Sequence, residues 1–275
     1  MISGKPGRRP DALAKGSFSP LEFLSDALAI AHMELRKLLR DPTELFSRAI
    51  QPVLWLVVFG QVFSRVRGVP TGNLSYIAFM TPGILAQSVL FSAIFYGIAV
   101  IWERDLGIIH KLLVTPASRG ALVFGKAISA GFRGLVQAVI VYLLALALGV
   151  AIRWEPLALL GVLSGVFLGC AVFSTFSLFI ACIVKTRERF MGIGQVLTMP
   201  LFFASNAIYP FSIMPLWLRV VARVNPLSYL VDALRAMMVQ GGESVHGLPL
   251  DFGFLAVVFI ALVAAAAKLY PSLAQ

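Results

Sequence analysis

The sequence is poor in charge. Only 13% of its 275 residues are Asp, Glu, Lys or Arg, against about 25% in a typical soluble domain, and 59% are hydrophobic. So little charge cannot clothe a water-exposed surface. Cysteine is nearly absent. Cys170 and Cys182 lie in one apolar run, twelve residues apart on one expected helix, too far to bridge. They read as small buried apolar residues, and neither a disulfide framework nor a metal-ligand spacing is present. No cleavable leader is expected. The first twenty residues are polar, with Lys5, Arg8, Arg9, Pro10 and Lys15, and no apolar core follows directly. Residues 1–20 therefore read as a disordered basic tail.

Acids are scarcest where they would matter most. The 13 Asp and Glu face 23 Lys and Arg, a net charge of +10, yet none falls inside an expected membrane span. That excludes the intramembrane carboxylate relay of a proton- or sodium-coupled carrier, so uphill transport would draw its energy from outside the membrane. The Ser/His, paired-Asp or His/Asp constellations of an intramembrane protease or acyltransferase are not evident either, and His32 and His246 carry no visible chemistry. A non-transporting membrane scaffold remains as a rival. The surplus cations sit between apolar runs, which fits membrane orientation rather than nucleic acid.

Long apolar runs are what the chain does have. Runs of roughly 18 residues or more cross a bilayer, and six are predicted, near 45–63, 76–101, 127–152, 157–184, 191–209 and 252–269. The expected fold is all-α and membrane-embedded, one transmembrane domain over 21–275. Ahead of the first span, Leu24, Leu28, Leu35 and Leu39 recur at helical spacing beside Glu34, Arg36, Lys37 and Arg40. This predicts an interfacial helix over about 21–40, stopped by Asp41-Pro42. Cations near the spans favour one side. Arg36, Lys37, Arg40, Arg48, Arg104, Lys111, Arg119, Lys126, Lys185, Arg187, Arg189 and Lys268 oppose Arg65, Arg67, Arg153, Arg219, Arg223 and Arg235, placing both termini in the cytoplasm. Arg133, within the third span, lies about 10 Å along the helix from Lys126 and reads as snorkelling to the interface.

The segment at about 102–126 is the most informative. Leu106, Ile109, Leu112 and Leu113 line one face of a short helix that Pro116 ends. Such a stripe suits a partner's groove. Gly120 to Lys126 has the spacing of a phosphate-binding loop, but Ala127 stands where the magnesium hydroxyl belongs and no strand precedes it. Nucleotide binding by this chain is thereby disfavoured.

Glu103-Arg104, Gly107, Leu112-Leu113, Thr115-Pro116 and Gly125-Lys126 occur in an order that resembles the cytoplasmic signature of type-2 ATP-binding-cassette exporter permeases. The runs Phe211 to Leu218, Asn225-Pro226-Leu227-Ser228-Tyr229 and Asp232-Ala233-Leu234-Arg235 resemble the same family's pattern after span five. The likeness covers nearly the whole chain and is nearest to the drug- and lipid-exporting branch, although His110 stands where that branch often has Glu. It implies six spans, a leading interfacial helix, a coupling helix over about 105–113 and short re-entrant helices within about 210–250. It implies a second permease copy, expected as a homodimer, and a cytoplasmic ATPase that carries the ATP and magnesium, with no cofactor on this chain. Glu103, Arg104, Leu106, Gly107, Ile109, Lys111, Leu112, Leu113, Thr115 and Pro116 would meet that ATPase. Pro82, Phe91, Tyr96, Phe202, Phe203, Asn206 and Tyr209 would line the substrate path where spans one, two and five meet. The implied activity is export of a drug-like molecule or lipid across a bacterial cell membrane, with a lipid-linked glycan or cell-wall polymer as alternative cargo.

Overall fold

The computed structural model describes His32, Arg36 and residues 50–65, 70–106, 119–184 and 186–270, without the side chains at 95–97, 119 and 121. The expected tail, nearly all of the interfacial helix and the segment 107–118 lie outside the described residues. Within them the chain is all-helical, with one isolated antiparallel bridge between Ile152 and Val239. The helices are α1 (Ile50–Ser64), α2 (Tyr76–Asp105), α3 (Arg119–Ala147), α4 (Pro156–Ile183), α5 (Arg187–Phe203), α6 (Leu216–Val224), α7 (Pro226–Met238) and α8 (Leu248–Leu269). A single 3₁₀ turn, Phe211–Ile213, precedes α6.

Side chains and prolines set the helix starts. Ser75 Oγ accepts from Ala78 N at the head of α2. Thr186 Oγ1 accepts from Arg189 N at α5. Asn225 Oδ1 accepts from Leu227 N at α7. These are N-caps that satisfy otherwise orphaned amides. Pro156 and Pro226 open α4 and α7 at the position where a missing N–H costs nothing.

Four helices, α2, α3, α4 and α8, are long and apolar enough to cross a membrane. α1 is a shorter apolar helix, wound as a π-helix over Leu54–Phe59. α5 has 17 residues, about 26 Å of helix against a hydrocarbon core of about 30 Å. The six-span expectation is thus met at full length by four helices among the described residues. Span five was expected to reach Tyr209, but α5 stops at Phe203. Asn225 Nδ2, arriving from the head of α7, takes Leu201 O and Ala204 O at 2.7 and 3.0 Å. Ser205 Oγ takes Phe202 O. With its carbonyls bonded from outside, the helix has no reason to continue. Span three also begins earlier than expected, at Arg119, and ends at Ala147, where Gly149 turns with φ +72°.

α4 is the hub, packed against α2, α3, α7 and α8. Some 80% of the apolar window of α2 is buried, but only 17% of that of α8. Both cysteines are free and buried in α4, and Cys170 Sγ fills the space over Gly134, where a Cβ would fall 2.2 Å from the sulfur. A close approach to backbone joins α2 to the turn after α5. A Cβ on Gly83 would meet Ala207 O at 2.4 Å. Backbone cannot swing aside as a side chain does, so Gly83→Ala is expected to destabilise by about 3 kcal/mol, the upper end of overpacking. Thermal unfolding in detergent measures this, and an unchanged midpoint would refute the seat.

Candidate functional site

At one end of the bundle, α2 runs past its apolar part into Glu103, Arg104 and Asp105. Glu103 is buried and its carboxylate accepts from Lys126 Nζ, on α3, at 2.6 Å. Asp105 accepts from Arg187 Nη2, at the head of α5, at 2.6 Å, and pairs with Arg104 at 3.0 Å. The Arg187 guanidinium also lies 3.6 Å over the Trp102 ring. The ends of α2, α3 and α5 are thereby tied together. The chain leaves this knot at Leu106, 67% exposed, and re-enters at Arg119. Of the expected ATPase-facing residues, Glu103, Arg104 and Leu106 are described; Gly107, Ile109, Lys111, Leu112, Leu113, Thr115 and Pro116 lie outside the described residues. Glu103 and Lys126 face each other rather than outward, a pairing across 23 residues that no local spacing announces.

The opposite end holds a second polar assembly. Asp232 on α7 is fully buried. Its Oδ1 accepts from Asn206 Nδ2 at 2.5 Å and Arg235 Nη1 at 3.5 Å, and its Oδ2 from Val245 N at 3.2 Å, with His246 Nδ1 at 2.9 Å. Arg235 further donates to Asn206 O at 2.7 Å and Phe79 O at 3.4 Å and lies 4.0 Å over the Phe79 ring. Burial pulls its guanidinium down to about 10 while Asp232 draws it back up, which leaves it cationic at neutral pH. Asp251, in the first turn of α8, is buried beside them.

Helices α2 and α8 run beyond the expected spans and so take in the buried acids Glu103 and Asp251, which lie outside those spans. Two expectations are corrected here. Arg235, counted among the orienting cations, is a buried partner of Asp232. His246, read as without chemistry, is in ion-pair range of Asp232. The short helices expected within about 210–250 are present as α6 and α7.

The expected pathway residues separate. Phe202 packs on Trp55 at 5.5 Å and on the exposed Phe203 at 5.4 Å between centroids. Trp55, Phe59, Phe63 and Tyr76 continue the series along α1 to the head of α2. Trp55, Phe59 and Phe63 were not singled out in the sequence, although their four-residue spacing was visible. Pro82 is buried inside α2, Phe91 is half-buried, and the Tyr96 side chain lies outside the description. Asn206 belongs to the Asp232 assembly. Tyr209 is half-buried and its hydroxyl donates to Phe203 O, with burial raising its phenol above the usual value.

A helical bundle with charge tied at both ends matches a known family over most of its length. Residues 26–239 fit the family model described as ABC-2 type transporter. The chain belongs to the ABC-2 type transporter family. Among its relatives, the ycf38 transport permease of Cyanophora paradoxa is 30% identical over 218 residues, 78% of this chain and 74% of the relative. Nodulation protein J of Rhizobium leguminosarum bv. trifolii is 25% identical over 197 residues, 71% and 74% of the two chains. The multidrug ABC transporter permease YbhR of Escherichia coli is 28% identical over 174 residues, 61% of this chain and 45% of its own length. ABC-2 permeases are membrane subunits that typically work with an ATPase subunit. This chain is accordingly a transporter's membrane component.

Proposed function

We propose that the chain is the membrane subunit of an ATP-driven exporter for a hydrophobic or amphipathic compound, energised by a separate ATPase that seats the stripe Leu106, Ile109, Leu112 and Leu113 in a groove. The observation that carries this reading is the knot from which that segment emerges. Glu103–Lys126 and Asp105–Arg187 join α2, α3 and α5 at the two ends of 107–118. A push on the segment would reach three helices together, and an ion pair as buried as Glu103–Lys126 resists being sheared. Both termini would lie in the cytoplasm of a bacterial cell, and two copies would meet through α1, α2 and α5. The exposed apolar face of α1, with Leu54, Val57, Val58 and Val62, supports that meeting, and the series from Phe203 to Tyr76 offers a broad apolar wall for cargo. A relative named as a multidrug permease favours drug-like cargo over glycan.

The test is Leu112→Asp in the permease co-expressed with its ATPase. A charge in an apolar groove is poorly tolerated, so export should fall about tenfold or more while membrane insertion is retained. Export and ATPase co-purification at the unmodified level would overturn the assignment. ATP hydrolysis stimulated by amphiphiles but not by lipid-linked glycans would uphold the cargo class, and the reverse would replace it.

A further inference from the structure

We propose that Asp232, His246 and Asp251 form a binding site for a divalent transition-metal ion, of which zinc is the best fit. The site is independent of the export reading. Its three ligand atoms come from three elements: α7, the loop after it, and the first turn of α8. Those atoms all lie within 4.8 Å of one another. His246 Nδ1 stands 2.9 Å from Asp232 Oδ2 and 3.8 Å from Asp251 Oδ1. Three ligands around a tetrahedral zinc, at about 2.0–2.2 Å each, stand about 3.4 Å apart. The observed separations bracket that value.

The second observation is an orphan. Asp251 is fully buried, and its Oδ2 accepts from Ser244 Oγ at 2.6 Å, but its Oδ1 has no hydrogen-bond partner. A buried carboxylate oxygen without a partner is costly. This one is aimed at the ring nitrogen already facing Asp232. Ser244 Oγ in turn accepts from Gly247 N at 2.8 Å, which fixes the rotation of the Asp251 carboxylate and directs Oδ1 inward. Arg235 does not compete for these oxygens. It meets Asp232 through Oδ1, the other oxygen, and its remaining donors go to backbone carbonyls. With the His246 proton on Nε2, two carboxylate oxygens and one imidazole lone pair converge, and a cation among them satisfies all three.

Donor type selects the ion. One imidazole with two carboxylates suits zinc or its first-row neighbours, whereas calcium and magnesium take oxygen alone. Three protein ligands leave one position open for water. Access exists, since the His246 side chain keeps 20% of its surface exposed. A cavity of about 480 Å³ reaches Asn206, Arg235 and Val245, with Glu243 among its lining residues. The bound ion would fasten α7 and the loop after it to α8, at the end away from the segment 107–118.

The experiment uses the full chain purified in detergent, stripped with chelator and titrated with zinc alone, then with cobalt(II) alone. Saturable binding of one zinc per chain, at least tenfold weaker in His246→Ala, supports the site. So does a visible cobalt absorption band that His246→Ala abolishes. His246 is only partly buried, so this variant keeps the fold; equal elution and melting of the two stripped proteins verify that. Asp251→Asn, which retains the Ser244 bond, should weaken zinc similarly. Absence of saturable binding in the unmodified chain, or unchanged affinity in His246→Ala, overturns the proposal.

Discussion

Replacing Asp232 with Ala is expected to cost about 3–5 kcal/mol, enough to consume most of the stability margin of an ordinary domain. The change does more than delete one ion pair. It strips Asn206 Nδ2, Val245 N and Arg235 Nη1 of their acceptor at once, and the donors of Asn206 and Arg235 then lie in a poorly solvated interior. Arg235, 5% exposed, keeps its positive charge with no carboxylate beside it. Asp232→Asn keeps one carbonyl acceptor and is expected to lose less. Monodisperse elution and thermal unfolding in detergent give the measurement. A melting temperature within about 2 °C of the parent for Asp232→Ala would show that the assembly contributes little.

The second large effect is expected at the other end. Lys126→Met takes from buried Glu103 the ammonium that donates to it at 2.6 Å, a loss of about 3–5 kcal/mol, and Glu103→Met takes the carboxylate from Lys126 in the same way. The double variant, with two apolar side chains of similar volume, should recover to within about 1 kcal/mol of the parent, since a buried pair as a unit is often replaceable. The coupling energy of this cycle is the decisive quantity. Single-variant losses that simply add in the double variant would mean that the two residues act separately. If the export reading holds, the double variant should also transport more weakly than its stability predicts, because the knot around 107–118 has lost its directional bond.

Much of the fold was legible because lipid writes its demands in long runs. The starts of α2 at Tyr76 and α4 at Pro156 fall within one residue of expectation, each marked by a cap or proline next to an apolar stretch. The end of α5 was not legible. Ala204, Ala207 and Ile208 continue its hydropathy, and the reason it stops is an Asn225 amide arriving from 21 to 24 residues downstream. The site divided in the same manner. The buried cysteines follow from composition, whereas the apolar stripe expected after Leu106 lies outside the described residues. The pairings Glu103–Lys126 and Asp232–His246 span 23 and 14 residues, and neither interval corresponds to one helix face or one turn. Nearness to apolar runs counts Arg235 as an orienting cation, although α7 carries it into the interior.

The Gly83–Ala207 seat gives α2 the proportions of a lever. With backbone resting on backbone there is no side chain to cushion the contact, and any rocking of the long helix would turn about it. Its arms are unequal, about 10 Å from Gly83 to Tyr76 and about 33 Å from Gly83 to Asp105. A sideways swing of about 3 Å at the Asp105 end would arrive at Tyr76 as about 1 Å in the opposite sense. Geometry of that kind trades travel for force: a generous stroke at the Asp105 end becomes a short, stiff displacement beside the aromatic wall.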